Sequence, residues 1–142
     1  MSGKNQAPVT INWQSTDPRT AFLPVNPSQN GGGSAPSGTL AGAMASTNTI
    51  YSNIIEISRM DNVGLEVAWS GTPTGTFSVL GSNSGVNFFT LTFNPILAQP
   101  SGSAGKMGID LNQYPWKYLM LQYLNSSGSG TLTAYGQYRD LN

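Results

Sequence analysis

The sequence predicts an all-β protein: an antiparallel β-sandwich, jelly-roll or immunoglobulin-like, preceded by an extended N-terminal arm. Three observations carry this. Apolar residues alternate with small or polar ones in several runs, most clearly in NVGLEVAW at 62–69. Clusters of Gly, Ser, Thr and Pro separate these runs at spacings of about 8–15 residues. No segment of useful length sustains a helical period.

Taken in order, residues 1–45 form the arm. They hold most of the prolines and the Gly31–Gly33 run, and their apolar residues are isolated or paired. Trp and Phe bury large apolar areas when docked. Ile11, Trp13, Phe22 and Leu23 are therefore expected to fasten the arm to its own core or to a neighbour. The sandwich domain is expected over 46–142. TIYSNIIEISRM is rich in β-formers. Val63, Leu65, Val67 and Trp69 then point one way, while Gly64, Glu66 and Ala68 point the other. SGTPTG reads as a turn to a second strand near Thr76–Leu80, so 63–80 is expected as a hairpin. Its off-core face would carry Gly64, Ala68, Thr76 and Ser78, small enough to admit another surface.

VNFFTLTF places Phe89, Leu91 and Phe93 on one face, and NPILAQPSGSAG follows as a loop. KMGIDL alternates Met107, Ile109 and Leu111. PWKYLMLQYL is apolar on both faces, as a doubly covered central strand would be. NSSGSG is expected to link it to TLTAYGQYR as a second hairpin.

Composition excludes several functions. The chain has 142 residues, 8% of them charged, with a formal net charge of zero. Gly, Ser, Thr and Asn make up roughly 40% of it, well above ordinary usage. Its six basic residues are scattered, so no phosphate-neutralising patch for nucleic acid is expected. No run approaches the roughly 20 apolar residues of a spanning helix, so no membrane is expected. MSGKNQAPVT lacks the apolar stretch of a signal peptide, which predicts assembly in a cytoplasm.

There is no cysteine and no histidine. Disulfides, thiolate chemistry and the commonest general base and metal ligand are thereby removed. Asp17, Glu56, Asp61, Glu66, Asp110 and Asp140 show no spacing that nominates a catalytic pair. The serines lack a histidine to activate them. GGGSAPSG lacks the Lys-Ser/Thr end of a phosphate loop. No catalytic residue, cofactor or metal is expected, and the protein is read as a non-enzyme. Aromatic residues are the remaining candidates, because sugar C–H faces pack on aromatic rings. Trp69 shares the inward beat of its strand. Tyr114, Trp116 and Tyr138 are the candidates for exposed contacts, and a glycan is the corresponding ligand.

DNVGLEVAWSGTPTGTFSVLGSNSG, SGSAGKMGIDLNQYPWKYLMLQY and SSGSGTLTAYGQ together resemble small β-sandwich structural proteins of bacteriophage virions. The resemblance runs from Asp61 to about Tyr138. It implies a capsid decoration or cement protein, or a tail-associated domain, acting through protein–protein contacts. It also implies residence in the virion after assembly in the host cytoplasm. The expected partners are the major capsid protein or other virion proteins, together with further copies of the chain, a trimer being favoured. The alternative is a carbohydrate-binding β-sandwich module recognising host-surface glycans.

Overall fold

In a computed structural model, the chain is described over residues 5–15, 17–18, 41–57, 62–93, 96–112 and 115–140. These residues form two antiparallel sheets packed face to face, so the protein is an all-β sandwich. Sheet A contains β1 (Asn5–Val9), β3 (Gly42–Met44), β6 (Asn62–Trp69), β9 (Gly105–Asn112) and β11 (Gly130–Asp140). Sheet B contains β2 (Trp13–Gln14), β4 (Thr49–Ser52), β5 (Ile55–Glu56), β7 (Thr74–Ser82), β8 (Phe89–Thr90) and β10 (Tyr118–Ser127). The strand order in sheet A is β1-β11-β6-β9, and β3 follows β1 along the same edge of β11. Sheet B runs β2-β4-β10-β7-β8, with β5 beside β4 on β10.

Alternation sets the core. Val63, Leu65, Val67 and Trp69 face inward from β6, and Ile109 and Leu111 continue their rows on β9. Leu119, Leu121 and Tyr123 of β10 meet them from sheet B, with Phe77 and Val79 of β7. Sheet B is also covered on its outer side. There Ile54, Leu80, Tyr118 and Met120 form a second buried cluster flanked by Tyr51 and Phe88. Tyr118 through Leu121 are consequently buried on both faces, as the unbroken apolar run predicts. Between β4 and β5 the ladder is interrupted, and the buried Ser52 hydroxyl accepts the Leu121 N–H at 2.8 Å.

The two expected hairpins are corrected. β6 and β7 lie in opposite sheets, and so do β10 and β11. β6 pairs with β11 and β7 with β10, so both turns carry the chain over one end of the sandwich. The two crossovers run side by side. Thr72 N–H donates to Ser129 O at 2.9 Å, and Ser70 N–H to Thr131 O at 3.0 Å. Gly71 and Gly128 adopt φ of 84° and 72°, and a Cβ on either would strike the opposite crossover's backbone. Each turn therefore satisfies polar backbone that a free-standing hairpin would leave to water. The expected small-residue face is divided as a result: Gly64 and Ala68 lie on the outside of sheet A, Thr76 and Ser78 on the outside of sheet B.

The segment 1–45, expected as an arm ahead of the sandwich, contributes β1, β2 and β3 to the sheets. Ile11 and Trp13 are 0% and 4% exposed in the chain's own core, where Trp13 meets Phe77 edge-on at 6.2 Å. Phe22 and Leu23 lie outside the described residues. The 89–93 run forms only the two-residue β8. Leu91 and Phe93 pack against the core, whereas Phe89 is 56% exposed.

Candidate functional site

The outer face of sheet A carries a shallow trough of about 580 Å³. Four strands build it through their outward-pointing residues. One row crosses β1, β11, β6 and β9 as Pro8, Gln137, Gly64 and Asp110. The next row is Tyr135, Glu66 and Gly108. Glu66 faces Gly108 and Asp110 faces Gly64, so the two carboxylates stand diagonally on neighbouring strands.

Two glycines make this face a trough. A Cβ on Gly64 would meet nothing within 4 Å, and one on Gly108 would lie 4.0 Å from Leu65 O. Neither has the positive φ that requires glycine. Glycine inside a strand weakens it, so their absent side chains serve no packing within the chain. They leave a floor of backbone between Tyr135, Glu66, Gln137 and Asp110.

The chemistry on offer is recognition. Exposed carboxylates and an amide accept and donate hydrogen bonds, and Tyr135, 44% exposed, adds an aromatic surface. Among the described residues no cluster of three or more Asp or Glu forms a metal-binding group.

The residues singled out by sequence lie elsewhere. Tyr138 faces inward opposite Val63 and packs partly buried against the core. Trp116 is also partly buried; it lies over Gly81 and meets Phe89 at a ring separation of 6.1 Å. Tyr114 is outside the described residues. Tyr135 is the aromatic residue of the trough. Its signal was parity: Leu132 and Ala134 face inward, so Tyr135 must face outward. The trough itself had no local signal, because its floor joins glycines 44 positions apart in the chain.

No protein-family model matches the chain, and no curated protein matches it. Among solved structures, it is similar to the K1 cleaved adhesin domain of the Lys-gingipain of Porphyromonas gingivalis W83. That likeness has a TM-score of 0.43 and 14% identity, over 72% of this chain and 73% of the adhesin-domain chain.

Proposed function

We propose that this chain is a non-enzymatic structural protein of a phage virion, a capsid decoration or cement protein that stabilises the particle through protein–protein contacts. One observation supports the reading: the broad trough on sheet A, opened by two strand glycines that the fold itself does not need. A floor of backbone flanked by carboxylates and an amide suits close approach by another protein surface. The virion assignment comes from the sequence resemblance over 61–138.

A second reading, glycan recognition, draws on Tyr135 beside Glu66, Asp110 and Gln137 in the same trough. A single series separates the two. Gly64→Phe places a ring in open space, leaving the melting temperature within a few degrees of wild type. Virions assembled with this variant should carry at least tenfold fewer copies, counted by quantitative mass spectrometry. Wild-type copy number in the variant particles, or virions that never contain the chain, overturns the cement reading. Sugar binding on a glycan array that Tyr135→Ala abolishes establishes the second reading in its place.

A further inference from the structure

The protein treats its sheet edges unequally. β1 has five residues and includes Pro8, which has no N–H to offer. β2 and β8 have two residues each. The edge of β7 is capped along its length: Pro100 O accepts Gly75 N–H, the Gln99 amide pairs with both backbone groups of Phe77, and Val79 O accepts Leu91 N–H. β9 has eight residues, no proline and, among the described residues, no strand on its outer side. Alternate residues of β9 turn their N–H and C=O away from β6. Such an edge is a template for another strand.

The sequence of β9 specifies which strand. We propose that β9 pairs antiparallel with β9 of a second copy, about a two-fold axis at Gly108. Lys106 precedes Gly108 by two residues and Asp110 follows it by two. Both are exposed on the outer face of the sheet. Across that axis each Lys106 stands opposite Asp110 of the second copy, giving two cross-strand pairs of opposite charge. On the inner side, the half-buried Met107 stands opposite Ile109 of the second copy and prolongs the apolar row. Two charges of one sign would repel a second copy. One of each, placed symmetrically, attracts it in a single register.

The topology adds an apolar margin. β8 borders β7 as β9 borders β6, so both edges lie on one flank of the sandwich. That flank also holds Phe89 of β8 at 56% exposure. The symmetry is isologous, which gives a dimer in place of the trimer first expected. The pairing concerns copies of this chain alone; it shares Gly108 and Asp110 with the trough, and light scattering of the isolated chain reads it without any trough ligand.

The test uses the full chain and light scattering over a concentration series. Wild type should give about twice the 15.0 kDa chain mass. Lys106→Asp and Asp110→Lys each convert both pairs to like charges and should raise the dissociation constant on the order of tenfold or more. Mixing the two single variants should restore a dimer, now mixed, and the double variant K106D/D110K should restore a homodimer. Circular dichroism checks that each variant is folded. A monomeric wild type, a trimer, or a dimer indifferent to the single reversals overturns the proposal. So does failure of the mixed variants to pair.

Discussion

Tyr123 and Asn125 show how one pair of side chains holds an end of the sandwich. The Tyr123 hydroxyl donates to Asn125 Oδ1 at 2.8 Å, and both residues are fully buried. Asn125 Nδ2 in turn donates to Ser46 O at 2.7 Å and Gly128 O at 3.1 Å, tying the β3–β4 link and the β10–β11 crossover to β10. Burial pushes the Tyr123 phenol above its ordinary value of 10.0. The folded state therefore holds the proton more tightly than the unfolded chain does. The stability this gives is complete below the unfolded value and is lost as pH rises through the folded one. Tyr123→Phe should cost about 1–3 kcal/mol near neutrality by stranding Asn125 Oδ1. It should also flatten the alkaline fall in stability. Urea denaturation at neutral pH and above pH ~10 reads both effects. At this scale parity alone placed Trp69, which is 7% exposed and donates its indole N–H to Ser103 O. The Tyr123–Asn125 network was not legible, because its acceptors lie up to 79 residues away in the chain.

Among the elements, the crossovers depart furthest from a sequence reading. SGTPTG and NSSGSG have the composition of hairpin tips, and the strands they join are where alternation puts them. A Gly/Ser/Thr turn is equally able to reverse a strand within a sheet or to carry it to the opposite sheet. What selects the second outcome is the other crossover, lying alongside and supplying hydrogen-bond partners. A specific expectation follows for Gly128. In a free hairpin tip, Asn would replace it at little cost, since Asn tolerates the left-handed region. Here any Cβ meets Thr72 O, so Gly128→Asn should destabilise nearly as much as Gly128→Ala, each by more than about 1 kcal/mol. Thermal melts of the two variants, compared side by side, test this. A mild Asn variant beside a costly Ala variant would mean that only φ matters at this turn.

For the whole molecule, the described parts of the N-terminal segment contribute strands to the sandwich within residues 5–14 and 42–44. Composition sets residues 1–45 apart, yet β1 extends sheet A, and Ile11 and Trp13 complete the core between the sheets. Asn53 secures the passage from β1 to β2: its Oδ1 accepts Asn12 N–H at 2.7 Å and its Nδ2 donates to Thr10 O at 3.0 Å. Ile11→Ala should therefore cost the isolated chain about 2–5 kcal/mol, as large-to-small core substitutions do. A denaturant titration gives the value. An arm docked only on a neighbouring subunit would leave it near zero.

By itself the sequence determined strands β6, β7, β9, β10 and β11 and, in β6, β7 and β9, which side chains face inward. Both follow from alternation, a property of the local chain that the extended backbone converts directly into two faces. Only the tertiary structure decided which sheet each strand joins, that β1 and β2 belong to the core, and that Gly64 and Gly108 meet in one trough. Those outcomes depend on which backbone groups find partners across long separations. Turn composition is neutral between a hairpin and a crossover, so the choice falls to the neighbouring chain segments that complete the hydrogen bonds.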